Sequence, residues 1–358
     1  MNNDSQDLIS NETPLLPVAE VALSAAFLCF VNIGIIVGNV LVLIVVWRTS
    51  KLHEPNYFFL CSLSVADLLV GVIYCPLLIA SVVKQSWVFG DAVCLAHAVT
   101  ICISCNASLM NLCAISVDRY YFITRPLRYT EIVTRRKTTL GIVFVWLHSI
   151  FWAVAPLFGW GEYTFEEGTS TCKPNYSGQG LVDKSYALGL PLFCFLFPVL
   201  VMVFAYAMIY KTARKQLRSI QLPGNVPSAG LKKSHKAAKT VFIIIGLFVL
   251  CWALYTAASS WKLFASSSDL PSRVVRIGLY LAVSNSCINF YVYAIRDKVF
   301  RKGLRHLLVP LRRYSEMREN HANQSRAART IPSNSRSALE LDFPLGGSNQ
   351  TLTYQTAV

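Results

Sequence analysis

The chain has 358 residues, 54% of them hydrophobic and 15% charged, where an ordinary soluble domain carries about 25% charged residues. That shortage of charge argues against a soluble enzyme. The net charge of +14 does not point to nucleic acid either, because the basic residues flank the long apolar runs, where membrane topology puts them.

Crossing a bilayer takes roughly 20 apolar residues, and seven stretches meet that requirement: 20–47, 57–82, 92–122, 138–159, 185–210, 239–264 and 274–295. The fold class is therefore all-α, a seven-transmembrane helix bundle. Residues 1–19 hold no Lys or Arg and no short apolar core of their own, so they read as an outer segment and not as a cleaved signal. One set of connections carries Lys84, Lys173, Lys184, Lys262, Arg273 and Arg276, six of the 33 basic residues, and the other set carries the remaining 27. The positive-inside rule makes the richer side cytoplasmic and leaves the N-terminus outside. Sequons at Asn3, Asn11 and Asn175 then all face outward, where glycosylation occurs. The chain divides into an outer segment (1–19), a membrane domain (20–295), a juxtamembrane helix (296–309) and a tail (310–358). Ser, Asn and Arg dominate that tail, and it lacks an apolar period, so it reads as disordered.

Of eleven cysteines, only Cys94 and Cys172 fall at an outer span end or in an outer loop. In that oxidising compartment a disulfide is the economical reading. The other nine lie within spans, where cysteine serves as a small hydrophobe. An ionisable group in hydrocarbon is costly, and Asp67 is the single one deep inside the spans. Asn39, Ser108, Asn285, Ser286 and Asn289 lie at comparable depth. Together they could hold a small cation or satisfy the carboxylate as a structural network. At the inner end of the third span stands Asp118-Arg119-Tyr120, an acid and a base that can pair locally or free the guanidinium for a partner. The last residues, Gln355-Thr356-Ala357-Val358, carry what a PDZ groove reads: an apolar end, a carboxylate, and a hydroxyl at Thr356 two positions before Val358.

Taken in chain order, Gly38-Asn39, Leu63 to Asp67, Trp87 with Cys94, Asp118-Arg119-Tyr120, Trp146, Phe197-Pro198, Tyr206, Phe248 with Cys251-Trp252, and Asn289 with Tyr293 resemble the rhodopsin-like family of G-protein-coupled receptors. The resemblance covers about residues 20–308, and Arg296 to Leu308 looks like the amphipathic helix that follows the seventh span, with Val299, Phe300, Leu304, Leu307 and Leu308 at helical spacing. Pro156 to Tyr163 and Thr169 to Cys172 look like the outer loop of opsins.

The resemblance implies a multi-pass receptor in the plasma membrane that is not an enzyme and that couples to a heterotrimeric G protein, with an arrestin as a further partner. Coupling and activation would rest on Asp118, Arg119, Tyr120, Tyr206 and Tyr293, and a movable core on Phe248, Trp252 and Pro198. The ligand pocket would be Ile101, Cys105, Leu190, Cys194, Trp252, Tyr255, Thr256, Leu279 and Val283. A sodium ion would sit at Asp67, Ser108, Asn285, Ser286 and Asn289, the only cofactor implied. Opsins need a seventh-span lysine for retinal, and the matching residue is Val283; amine receptors need a third-span aspartate, and the matching residue is Ile101. Covalent retinal and an amine salt bridge are both disfavoured, leaving a small or lipid-like apolar ligand, a chromophore held without a covalent bond, or a receptor that signals with no ligand. Leu254 and Phe290 replace two family prolines, which points to straighter sixth and seventh spans. Ser234 replaces the acidic partner of Arg119, so no ionic latch forms there. A transporter would show several buried charges along a path. A membrane enzyme would need converging catalytic groups, which six scattered histidines do not supply.

Overall fold

The computed structural model describes residues 16–176, 180–220, 242–243, 246–259, 261, 271–307 and 309; the side chains of Asn56, Tyr293, Arg296 and residues 216–220 are not among those described. Asn3, Asn11, Ser234, Leu308, Thr356 and Val358, all singled out in the sequence, lie outside these residues. Every contact below lies among the described residues of the unit 1–304.

In hydrocarbon each backbone N–H and C=O must be bonded within its own segment, so the apolar runs become helices. They are α1 (Val18–Arg48), α2 (Pro55–Leu69), α3 (Cys75–Lys84), α4 (Asp91–Thr124), α5 (Tyr129–Ile132), α6 (Arg135–Val154), α7 (Leu181–Pro191), α8 (Phe197–Ile220), α9 (Gly246–Ser259) and α10 (Ser272–Arg296), followed by α11 over 298–307. Five stretches are long and apolar enough to cross a membrane: Val18–Arg48, Tyr57–Lys84, Asp91–Thr124, Arg135–Phe158 and Leu181–Lys215. These match the first five expected spans. α9 is apolar but shorter among the described residues, and α10 carries Asn285, Ser286 and Asn289 among its apolar residues.

Two of the spans are not single α-helices. α2 passes into α3 through a π turn at Val70–Tyr74, and α7 passes into α8 through another at Leu192–Leu196. Each turn ends two residues before a proline, Pro76 or Pro198. Proline has no N–H to give the carbonyl four residues back, and the wider turn takes up the resulting break in the ladder. Gly71 sits in the first π turn because a Cβ there would come within 2.9 Å of both Ile35 and Ile36 on α1.

The long helix α4 is the axis of the bundle, packing against α2, α6 and α8. On the outer side a two-stranded antiparallel hairpin, β1 (Tyr163–Glu166) and β2 (Thr171–Pro174), pairs Tyr163 with Pro174 and Glu166 with Thr171. All four residues of β2 are buried. The expected disulfide joins Cys94 at the head of α4 to Cys172 on β2, with Cα atoms 5.5 Å apart. A second tie is the hydrogen bond of 3.0 Å between the hydroxyls of Tyr74 and Thr171. The chain enters the hairpin through Gly161 at φ +95°, where a Cβ would stand 2.5 Å from the Tyr186 ring, so only glycine fits.

α1 and α10 are fastened along their length. At the outer end Glu20 pairs with Arg273 at 3.0 Å and Arg276 at 3.2 Å. In the middle, Asn39 donates to the Ser286 carbonyl at 3.1 Å and to its own Ile35 carbonyl at 2.9 Å. Asn39 therefore ties two helices and does not bond to Asp67. Further in, Phe290 occupies the family's proline position and packs on Gly38, where a Cβ would come within 2.9 Å of the Phe290 Cβ. α10 is helical through that position. Asp297 then starts α11 by accepting from the backbone N–H of Val299 at 2.8 Å and Phe300 at 3.0 Å, and its other carboxylate oxygen accepts from the Tyr57 hydroxyl at 3.1 Å.

Removing either half of the disulfide releases β2 from α4. Losing such a bridge costs about 2–5 kcal/mol in small secreted domains. Cys94→Ala and Cys172→Ala are expected to lose surface expression to the same degree, as read by antibody labelling of intact cells.

Candidate functional site

A cavity opens beneath the hairpin, and the space between its walls, its open mouth included, is about 1060 Å³. All nine residues expected to form the pocket line it: Ile101 and Cys105 on α4, Leu190 on α7, Cys194 in the second π turn, Trp252, Tyr255 and Thr256 on α9, and Leu279 and Val283 on α10. Its roof is β2 from Thr171 to Pro174, together with Tyr176. Its floor is aromatic. Phe248 and Trp252 stack with centroids 5.8 Å apart, Phe195 lies 6.4 Å from Phe248, and Tyr255 meets Trp252 at 6.1 Å edge-on. The indole N–H of Trp252 is buried and finds no acceptor among the described residues. Pro198 is buried at the start of α8. Gly278 lets α10 come against the α9 backbone, since a Cβ would lie 2.9 Å from the Tyr255 nitrogen.

Below the cavity lies Asp67, fully buried. It accepts from Ser108 Oγ at 3.3 Å and from Asn289 Nδ2 at 2.9 Å, and Ser286 also hydrogen-bonds to it. Ser286 and Asn289 are one turn apart on α10, so both reach the carboxylate. Asn285, also expected here, makes no hydrogen bond to Asp67 among the described residues. Its Oδ1 and that of Asn289 are buried acceptors that meet no donor among them. Uncharged amide oxygens and a carboxylate are the ligand type that a hard cation takes.

At the cytoplasmic end Asp118 is held from two sides. The Arg119 guanidinium approaches it at 3.4 Å, and the Tyr129 hydroxyl of α5 donates to it at 2.7 Å. Burial, reinforced by the Asp118 charge, raises the Tyr129 hydroxyl above its ordinary range, so tyrosine stays the donor at neutral pH. Arg119 also lies over the Phe122 ring at 5.7 Å. Tyr120 and Tyr206 pack into one cluster with Phe122, Ile123 and Ile209. The side chain of Tyr293 is not among those described. Asn175, an expected glycosylation site, lies beside the hairpin, its amide donating to Glu162 at 3.3 Å.

The sequence reading missed Lys173, Tyr176, Tyr74 and Phe195 on the cavity wall, and Tyr129 at the inner end. No sequence signal marks Lys173: it stands in an outer loop, and only the pairing of β1 with β2 brings it to the cavity.

Residues 38–293 match the family model described as 7 transmembrane receptor (rhodopsin family). The chain is 30% identical over 332 residues to the alpha-1A adrenergic receptor of Mus musculus, covering 82% of this chain and 70% of that one. It is also 30% identical over 289 residues to melanopsin of Podarcis siculus, covering 78% of this chain and 60% of that one. The solved structure of squid rhodopsin superposes with a TM-score of 0.75 at 24% identity, covering 83% of this chain and 89% of that one. This chain thus shares the helical bundle of squid rhodopsin and the sequence of the family over most of its length. It belongs to the rhodopsin family of seven-transmembrane receptors, an integral membrane protein that signals through G proteins and is not an enzyme.

Proposed function

We propose that this receptor sits in the plasma membrane and is gated by a largely apolar, lipid-like small molecule held without a covalent bond. The observation that carries the reading is the identity of two wall residues of the cavity, Ile101 and Val283. They stand where an amine receptor has its aspartate and an opsin its lysine, so neither an ammonium nor a retinal Schiff base finds its partner. Occupancy above the Phe248–Trp252 stack shifts a two-state equilibrium. In the active state α9 swings outward, Arg119, Tyr206 and Tyr293 rearrange, and a cytoplasmic cleft accepts the G protein. An arrestin and a PDZ scaffold reading Thr356 and Val358 are further partners on the cytoplasmic side.

A sodium ion at Asp67, Ser108, Ser286, Asn285 and Asn289 favours the inactive state in this reading. The two buried amide oxygens without donors support it, because a cation satisfies acceptors that hydrogen bonds leave unmet. The ion supplies only charge compensation; Asp67 provides the anion and Ser108 the hydroxyl that orients it.

Three outcomes are expected. Cells expressing the chain respond through a second messenger to an organic extract of membrane lipids and not to a panel of biogenic amines, and the purified receptor gives no borohydride-trappable adduct with retinal; an amine response or a trapped adduct overturns the ligand reading. Sodium at about five times its Kd adds about 1 kcal/mol to wild-type stability, read as a rise in thermal midpoint, and Asp67→Asn abolishes the rise. Tyr129→Phe removes one hydrogen bond to a buried carboxylate, worth about 1 kcal/mol or more, and ligand-free signalling rises roughly fivefold.

A further inference from the structure

We infer that the cavity takes an apolar molecule ending in a carboxylate, and that Lys173 is the residue that recognises its head; this rests on the apolar-ligand reading above. Among the described residues that line the cavity, Lys173 is the only one with a full charge. It is 5% exposed and is fixed in the roof beside Cys172, whose bridge to α4 leaves β2 little freedom to turn it outward.

Its present partner shows which chemistry it accepts. Lys173 is ion-paired with Glu166 on the opposite strand. The register sets Lys173 against Thr164, so Glu166 is its diagonal neighbour on the same face of the hairpin. The two ends of the pair differ in environment. The Lys173 side chain is 6% exposed and lines the cavity, whereas the Glu166 side chain is 18% exposed and does not. A cation in an apolar wall must keep an anion beside it, because leaving it alone costs far more than the pair gains. A ligand carboxylate can meet that condition by taking the place of Glu166. Glu166 in turn keeps the Thr169 hydroxyl, which donates to it at 2.7 Å, and its contact with water. One carboxylate is exchanged for another, and at no stage is the lysine unpaired.

The same arrangement rejects other head groups. An ammonium entering the cavity meets a like charge in the roof and no carboxylate in the lining, an electrostatic mismatch that selects against amines as firmly as the missing third-span aspartate does. A neutral ester fills the apolar body of the cavity but gives Lys173 nothing in exchange for Glu166.

The test uses the full-length receptor purified in detergent, with radiolabelled oleate as the probe and unlabelled oleate, methyl oleate and oleylamine as competitors. Wild type is expected to prefer oleate over methyl oleate by roughly tenfold, as charge-assisted bonds outweigh neutral ones, with oleylamine weakest. Lys173→Gln should bring the acid and the ester to equal affinity, and Lys173→Arg should keep the preference. Glu166→Gln, which removes the competing carboxylate, should tighten oleate severalfold, and it decides the matter if Lys173→Gln does not fold. Oleate binding unchanged or weakened by Glu166→Gln overturns the inference. Equal binding of acid and ester to wild type also overturns it while leaving the apolar-ligand reading intact. Failure of all three competitors to bind overturns both.

Discussion

A backbone in hydrocarbon cannot leave an N–H or C=O unpaired, and the rest of this receptor follows from how that demand is met. Where the described chain is apolar and free of proline, helices meet it. Where Pro76 and Pro198 remove a donor, π turns absorb the break, and both turns face the same space. Val70 and Tyr74 come from the first, Cys194 and Phe195 from the second, and all four line the cavity. The helical ladder is thus irregular at two stretches of the cavity wall.

The cavity also needs a roof, and a roof outside the membrane cannot rely on the same rule. The hairpin is short, and two strands are marginal alone. It holds because β2 is buried from end to end, bridged to α4 by Cys172 and bonded to Tyr74 through Thr171. Beneath it the Asp67 network takes Ser108 from α4 itself and Asp67 from α2, which packs against α4. Roof and buried carboxylate are thus both referred to α4.

Much of this was legible in the sequence. Apolar length gave the spans, compartment gave the Cys94–Cys172 pair, and the scarcity of charge in the spans singled out Asp67. The nine pocket residues were reachable because family spacing along a helix carries position faithfully. The π turns were not legible, since a proline announces a broken ladder but not how it is mended. Depth alone puts Asn39 among the groups that could meet Asp67, and depth does not say which way a side chain faces; its amide donates to the Ser286 carbonyl. Lys173 was counted as a topological charge in an outer loop, and only the fold of the hairpin turns it inward. Tyr129 sits eleven residues beyond Asp118 in a connection with no periodicity to place it.

Phe290 in its glycine socket has a mechanical consequence. An aromatic ring seated on Gly38 and edge-on to Phe300 at 6.3 Å works as a peg: α10 cannot slide along α1 without extracting it, and close-packed interiors shift between discrete arrangements and do not deform smoothly. With Glu20 clamping the outer end and Asn39 the middle, α1, α10 and the start of α11 behave as one rigid wall. In the proposed activation α9 is then the moving jaw and α10, whose Gly278 lies against the α9 backbone, the fixed one.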